Sequence, residues 1–228
     1  MFVKICGLTT EEDALLAVAL GADALGFNFV NGSPRQIAPD KAREIARRLP
    51  PETLTVGIFR DEVPGRVVEL TQRAGLRAAQ LHGNESAEQT RHVRSLVPIV
   101  IKAFPAGHPG LATIDDYGAD IVMIDGAEPG SGEVFDWSLA EGAPTAGHRV
   151  VLAGGLHVGN VDDAIERVQP WGVDVATGVE SAPGQKDAVK MREFIAKAKA
   201  AGDRLPPADA DTSYPSRGPY NWEEDFLT

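Results

Sequence analysis

The chain has 228 residues and a single cysteine, Cys6, so it cannot form a disulfide within itself. A lone thiol is typical of reducing compartments, and we therefore expect a cytoplasmic protein. No apolar run approaches the roughly 18 residues of a membrane span, and we expect no membrane partner. The segment Met1–Cys6 is strand-like and lacks the basic and apolar regions of a secretory signal, so we expect no signal peptide.

Basic residues are scarce, with 22 Lys and Arg against 33 Asp and Glu, which gives a formal net charge of −11. General nucleic-acid binders need a basic face, so this balance excludes that class and predicts no nucleic-acid partner. An acidic protein that binds an anion must concentrate backbone amides and a few cations at one place. The chain is long enough to bury a sizeable core, and it needs no metal ion for stability.

Short apolar runs rich in valine and isoleucine alternate with longer amphipathic segments. Such runs suit parallel strands that are covered on both faces. Eight strands are predicted, at Val3–Cys6, Ala24–Phe27, Thr55–Phe59, Ala78–Leu81, Ile99–Ala103, Ile121–Asp125, Val150–Ala153 and Val173–Ala176. The segments between them predict helices at Thr10–Leu20, Pro39–Arg48, Pro64–Ala74, Ser86–Leu96, Asp115–Tyr117, Trp137–Leu139, Val158–Val168 and Asp187–Ala201.

Strands that alternate with helices predict an α/β fold with a parallel sheet, and eight such units would close into a single-domain (βα)8 barrel, the TIM barrel. An open doubly wound sheet is the alternative. No Gly-x-Gly-x-x-Gly motif follows the first strand, which disfavours a dinucleotide-binding version of that sheet. The predicted domain covers residues 1–202. Residues 203–228 carry four prolines and predict an irregular acidic C-terminal tail.

In a barrel of this type the chemistry lies at the carboxyl ends of the strands, so polar residues there are the candidates for catalysis. Cys6 ends the first predicted strand, where a thiolate could act as a base, although most free cysteines are small buried hydrophobic residues. Asp125 ends the sixth strand and precedes Gly126, which also fits an ordinary turn. A partly desolvated carboxyl at this place could hold a proton and act as an acid.

Two glycine-bearing loops follow the seventh and eighth strands, at Ala153–Leu156 and Ala176–Val179. Loops at these two positions frequently bind phosphate through backbone amides. The candidate residues for phosphate binding are Gly154, Gly155, Ala176, Thr177 and Gly178. Tight turns would explain either loop alone.

Two further candidates for substrate binding lie in other loops. Arg35 follows the second strand, where its planar fork could pair with a substrate carboxylate, unless it is an ordinary solvated arginine. His82 follows the fourth strand and is otherwise interpreted as a structural histidine.

With these residues in place, the sequence resembles the phosphoribosylanthranilate isomerase family of tryptophan biosynthesis from Val3 to about Ala200. The resemblance rests on motifs in a fixed order. They are Lys4–Thr9, Gly21–Phe27, Ser33–Arg35, Val56–Phe59, Gln80–Gly83, Gly130–Gly132, Phe135–Trp137, Leu152–Leu156, Val173–Val175 and Gly178–Glu180.

The resemblance implies a (βα)8 barrel that uses no cofactor and isomerises a small phosphorylated substrate. It implies that Cys6 is the general base, Asp125 the general acid, and Arg35 the partner of the anthranilate carboxylate. It further implies that the two loops bind phosphate and that Asp174 contacts a ribose hydroxyl. Where the family often has two serines, this chain has Ala176 and Thr177, so one side-chain donor is lost.

Three questions stay open from the sequence alone. The related aminosugar-phosphate isomerase of histidine biosynthesis, or a form with both substrates, is a rival, but that enzyme has an aspartate where this chain has Cys6. A barrel that only binds ligand is a second rival. We expect a monomer and leave a dimer as the alternative.

Overall fold

A computed structural model describes residues 1–126, 137, 140 and 147–206 of the chain. Eight parallel strands pair in sequence order, and the last pairs with the first, Val3 lying opposite Val173. The strands are β1 (Phe2–Ile5), β2 (Ala24–Asn28), β3 (Leu54–Phe59), β4 (Ala78–Leu81), β5 (Ile99–Pro105), β6 (Ile121–Asp125), β7 (Val150–Leu152) and β8 (Gly172–Val175). The predicted closed barrel is therefore confirmed, and the open sheet is excluded.

Within the described residues six α-helices cover the barrel, and their starts follow local capping chemistry. The helices are α1 (Glu11–Ala19), α2 (Pro39–Ala46), α3 (Pro64–Arg73), α4 (Ala87–Arg94), α5 (Val161–Val168) and α6 (Ala188–Arg204). Thr10 caps α1 by accepting from the amide of Asp13, and Ser86 forms a capping box with Gln89 at the start of α4. Two helices begin with proline, which has no amide hydrogen to leave unsatisfied there.

The structure adds to the predicted elements in two places, and one predicted helix is not tested. A 3₁₀ helix spans Pro109–Tyr117, where only Asp115–Tyr117 was predicted. The candidate helix Trp137–Leu139 and the motif Gly130–Gly132 lie mostly outside the described residues. A two-stranded antiparallel hairpin of β9 (Glu180–Ala182) and β10 (Gln185–Lys186) follows β8, and the sequence did not predict it.

Side chains on the inner face of β1 change from apolar to polar toward the carboxyl end of the strand. Because side chains alternate between faces, Phe2, Lys4 and Cys6 share one face of the first strand and its extension. Phe2 belongs to a buried cluster that includes Ala24, Leu54, Ala78, Ile99, Ile121 and Val151 from the neighbouring strands. Lys4 follows Phe2 and is fully buried. The cluster fills the amino-terminal end of the barrel, so the polar side chains of the candidate site lie toward the carboxyl ends of the strands.

The last helix extends further than predicted. A glycine just past a predicted helix is a common stop signal, but α6 continues through Gly202 to Arg204. The glycine is needed at this position for packing, because a Cβ at Gly202 would collide with the Cβ of Met1. The glycine therefore allows the chain start to pack against the last helix. Among the described residues, no helix is long and apolar enough to cross a membrane.

The predicted tail from Asp203 falls largely outside the described residues, which end at Pro206. We expect deletion of residues 207–228 to cost less than about 2 kcal/mol of unfolding free energy, because the barrel is already closed without them. Turnover should be unchanged. Thermal unfolding and activity of a chain ending at Pro206 test this. A large loss of either would show that the deleted residues pack on the barrel or cover its mouth.

Candidate active site

A cavity of about 390 Å³ opens at the carboxyl ends of the strands. Its lining contains every candidate site residue of the sequence analysis, namely Cys6, Arg35, His82, Asp125, Gly154, Gly155, Asp174, Ala176, Thr177 and Gly178. These residues come from loops and strand ends spread over more than 170 positions, and closure of the barrel brings them together.

Cys6 lies one residue beyond β1, and its amide donates to the carbonyl of Val175 at 2.8 Å. The thiol sits over Gly26 of the neighbouring strand, where a Cβ would lie 2.9 Å from the sulfur. Burial raises the pKa of Cys6, while the nearby ammonium groups of Lys4 and Lys186 act to lower it. The thiol is therefore shielded from water but faces two cations that favour its ionised form.

Lys4 is the inward side chain beneath this thiol. Its ammonium donates to Asp174 Oδ1 at 2.8 Å inside the barrel. Attraction to Asp174 and Cys6 raises the pKa of Lys4 although burial opposes this, so the side chain stays charged. The described hydrogen bonds of Asp174 use Oδ1, which leaves Oδ2 as an acceptor toward the cavity.

Asp125 lies across the cavity at the end of β6 and is largely buried. Its Oδ1 accepts from the amide of Gly126 at 2.8 Å, and its Oδ2 lies 2.8 Å from Nε2 of His82. The amide nitrogen of Gln80 lies 2.7 Å from the other ring nitrogen, Nδ1. In this arrangement Nδ1 accepts, the ring proton is on Nε2, and His82 donates to the carboxylate of Asp125.

Arg35 is held by two residues that follow β8. Its Nε donates to Glu180 Oε1 at 2.7 Å and its Nη2 to Glu180 Oε2 at 2.8 Å, which makes a bidentate ion pair. Nη2 also donates to Thr177 Oγ at 3.1 Å. Hydrogen bonding to Glu180 raises the pKa of Arg35, so the guanidinium is charged at every working pH.

The two predicted phosphate loops lie side by side. Gly154 and Gly155 both adopt positive φ, at 86° and 64°, a conformation that favours glycine. Gly178 pairs with His157 in an isolated parallel bridge, which links the loop after β8 to the one after β7. Backbone amides with no side chain in front of them are suited to an oxyanion.

Gly178→Ala is expected to separate the two loops. A Cβ at this position would lie 1.9 Å from the carbonyl oxygen of Leu156, so the backbone must move. We expect the Michaelis constant to rise at least about tenfold, since phosphate contacts depend on the spacing of both loops. Steady-state kinetics measure this, with inorganic phosphate as a competing anion. An unchanged Michaelis constant would show that this loop does not bind the phosphate.

Four functional candidates were missed from the sequence. Lys4 was detectable, because it alternates in phase with Phe2 and Cys6. Glu180 ends the motif Gly178–Glu180, but no role was predicted for it. Gln80 begins the motif Gln80–Gly83 and alternates in phase with its partner His82, but no role was predicted for it. Lys186 carried no local signal, since it lies in the unpredicted hairpin. Within the described residues no group of His, Cys, Asp or Glu side chains could hold a metal ion.

The chain is similar to a family of known proteins over most of its length. Residues 3–197 match the model of the family described as N-(5'phosphoribosyl)anthranilate (PRA) isomerase. The N-(5'-phosphoribosyl)anthranilate isomerase of Trichlorobacter lovleyi is 47% identical over 204 residues, which cover 87% of this chain and 98% of that protein.

Solved structures agree with the sequence relatives. The phosphoribosyl anthranilate isomerase of Thermus thermophilus is 45% identical, with a TM-score of 0.82, over 88% of this chain and 99% of that one. A second isomerase structure, in complex with reduced 1-(o-carboxyphenylamino)-1-deoxyribulose 5-phosphate, is 38% identical, with a TM-score of 0.79. The match covers 88% of this chain and 99% of that one.

Proposed function

The chain belongs to the phosphoribosylanthranilate isomerase family of tryptophan biosynthesis, and from this we infer that its barrel mouth catalyses an Amadori rearrangement. The substrate is N-(5-phosphoribosyl)anthranilate, and the product is 1-(2-carboxyphenylamino)-1-deoxyribulose 5-phosphate. One observation carries the proposal: a thiol and a carboxyl, Cys6 and Asp125, line the same cavity as Arg35 and the two glycine loops.

The reaction begins with a proton that Asp125 gives to the ring oxygen of the ribose. The C1′–O bond then breaks, and the amine nitrogen forms an iminium with C1′. The thiolate of Cys6 removes the proton from C2′, which gives an enolamine, and gain of a proton at C1′ with loss of one from the C2′ hydroxyl gives the ketone. This sequence needs one acid and one base and no redox partner.

His82 supports the acid in this proposal. It was predicted among the substrate-binding residues, and its ring contacts Asp125 through Nε2 and Gln80 through Nδ1. When Asp125 carries the proton that it delivers, Nε2 of His82 accepts from it, and the ring hydrogen of His82 then lies on Nδ1. Reversal of the Gln80 amide would suit this tautomer, because its oxygen Oε1 is buried without a partner in the described part of the chain and would then accept from Nδ1.

The anionic ends of the substrate are assigned to separate groups. The amides of the loops at Gly154, Gly155 and Gly178 take the phosphate, and the free carboxylate oxygen of Asp174 accepts from a ribose hydroxyl. Arg35 takes the anthranilate carboxylate. Lys4, Lys186 and Arg35 place three positive charges beside the carboxylates of Asp174 and Glu180 at this site.

Arg35 should determine recognition of that carboxylate. We expect Arg35→Ala to raise the Michaelis constant at least about tenfold, because a charge-assisted bond is lost. Arg35→Lys should recover little of this, since a lysine cannot pair with Glu180 through two parallel bonds. Steady-state kinetics with the natural substrate measure both. Equal Michaelis constants for wild type and Arg35→Ala would show that Arg35 does not contact the substrate.

Growth of a tryptophan auxotroph that lacks this isomerase tests the function in a cell. The wild-type gene should restore growth without tryptophan, and the Cys6→Ala gene, expressed to the same level, should not. Failure of the wild-type gene, with folded protein present, would contradict the proposal.

We further propose that the chain acts in the cytoplasm as a monomer. The reducing conditions of the cytoplasm keep a lone thiol such as Cys6 in its reduced form. Large exposed hydrophobic side chains among the described residues lie singly on separate segments, at Leu15, Val63, Leu96 and Val189. Scattered single residues do not form an interface. Sedimentation at micromolar concentration tests this, and a dimer would contradict it.

A further inference from the structure

We propose that Glu180 is a specificity-determining positioning residue. It fixes one edge of the Arg35 guanidinium, so that the opposite nitrogen, Nη1, donates to the anthranilate carboxylate. The proposal rests on the assignment of Arg35 in the proposed function and adds a residue to it. All hydrogen bonds of the Arg35 side chain to described residues use Nε and Nη2, which leaves the two N–H groups of Nη1 for a ligand.

Glu180 is itself held in place before it meets Arg35. Lys186 donates to its Oε1 at 3.0 Å, and Lys190 donates to its backbone carbonyl at 2.7 Å. Its amide donates to the carbonyl of Thr177 at 3.0 Å, where β9 begins. The Glu180 side chain is only 3% exposed. A carboxylate with this many fixed partners has one available position, so it orients Arg35 rather than following it.

The stem of Arg35 is confined as well. Gly7 has a φ of 74°, and a Cβ there would lie 2.4 Å from Cδ of Arg35, so the stem crosses bare backbone next to Cys6. The amide of Arg35 donates to Ser33 Oγ at 3.2 Å. With stem and head both fixed, the planar guanidinium presents the same edge to the cavity in every molecule. Such preorganisation raises affinity by lowering the ordering cost of binding.

Charge alone would not favour Glu180 at this position. The substrate carries a carboxylate and a phosphate, and a buried carboxylate nearby repels both. The ion pairs with Arg35 and Lys186 hold the pKa of Glu180 below its ordinary value, so this repulsion is present at neutral pH. A residue that only repelled the substrate would weaken binding, whereas a residue that orients Arg35 strengthens it selectively for ligands with a carboxylate.

Repulsion by Glu180 and orientation of Arg35 by Glu180 have opposite effects on the affinity for a carboxylated ligand, and this difference provides the test. Two probes can be made by reductive amination of ribose 5-phosphate, one with anthranilate and one with aniline, and they differ only in the carboxylate. Their dissociation constants are measured by calorimetry for wild type, Glu180→Gln and Asp40→Asn. Asp40 forms an equally bidentate but exposed ion pair with Arg73 on the outer helices, and it serves as the matched control.

We expect wild type and Asp40→Asn to bind the carboxylated probe at least about tenfold more tightly than the aniline probe. In Glu180→Gln that preference should fall to within about threefold. The NH₂ group of glutamine cannot accept a hydrogen bond, so one of the two bonds that fix Arg35 is lost. The affinity for the aniline probe should change less than about twofold.

Each other outcome overturns a defined part of the proposal. An unchanged or larger preference in Glu180→Gln would show that Glu180 only repels the ligand. An equal loss of affinity for both probes, with a lowered melting temperature, would show a purely structural role. If wild type has no preference, the assignment of Arg35 fails, and turnover of the natural substrate then decides separately whether the proposed function stands.

Discussion

The Cys6→Ala variant is expected to lose at least about 10² of its turnover number, the lower range for loss of a general base. The thiol is the proposed group that removes the C2′ proton, and the cations nearest to it, Lys4 and Lys186, cannot replace it while protonated. The methyl group of alanine fits the space over Gly26, so the fold should be kept. Affinity for the carboxylated probe should change little. Turnover near that of wild type would show that another group is the base.

The pH dependence of kcat/KM gives this prediction a second readout. Burial raises the pKa of Cys6 above the ordinary value of a thiol, so this side chain should be mainly protonated in the free enzyme at neutral pH. A base works only when deprotonated, and kcat/KM should therefore increase as the pH rises toward that raised pKa. Cys6→Ala should lack this increase. The same increase in both proteins would assign it to another group.

The Asp125→Asn variant is expected to lose at least about 10² of its turnover number, because an amide cannot deliver a proton to the ring oxygen. Asparagine has the same shape, and its oxygen can still accept from the Gly126 amide as Oδ1 does now. Binding of the carboxylated probe should therefore be preserved while the chemical step is slowed. A variant that turns over normally would remove Asp125 from the mechanism.

Asp120→Asn is the matched control for that variant. Asp120 precedes the same strand at its opposite end, where it pairs with Arg94 at 2.7 Å and accepts from the Val100 amide at 2.8 Å. Its replacement should lower stability without slowing turnover. If both variants lost activity in proportion to their melting temperatures, the effect of Asp125→Asn would be structural rather than chemical.

The sequence predicted the strands of this barrel well because each is a short apolar run covered on both faces. β4 and β6 have the predicted bounds, and the others differ by one or two residues at one end or at both. The helix ends were less predictable, since long-range contacts decide them. Gly202 illustrates this: a local rule makes it a stop signal, but contact with Met1, at the other end of the chain, explains the glycine.

The candidate site was predictable wherever one strand end determined it. Cys6 and Asp125 each follow an apolar run, and closure of the barrel places them in one cavity. The ion pairs among Arg35, Glu180 and Lys186 were not predictable, because they depend on a hairpin with no strong periodicity. That hairpin brings Glu180 to Arg35, which lies 145 positions earlier in the chain. No local sequence pattern predicts a contact over such a separation.

Turnover of phosphoribosylanthranilate by the purified chain is the most direct measurement of the proposed activity. The substrate is generated in the cuvette by an added phosphoribosyltransferase from anthranilate and phosphoribosyl pyrophosphate, and its loss is followed by fluorescence. The account predicts rapid loss with wild type, a rate at least about 10² lower with Cys6→Ala and with Asp125→Asn, and no comparable activity on the aminosugar phosphate of histidine biosynthesis. Folded wild-type protein that leaves the fluorescence unchanged, or that prefers the histidine precursor, would contradict it.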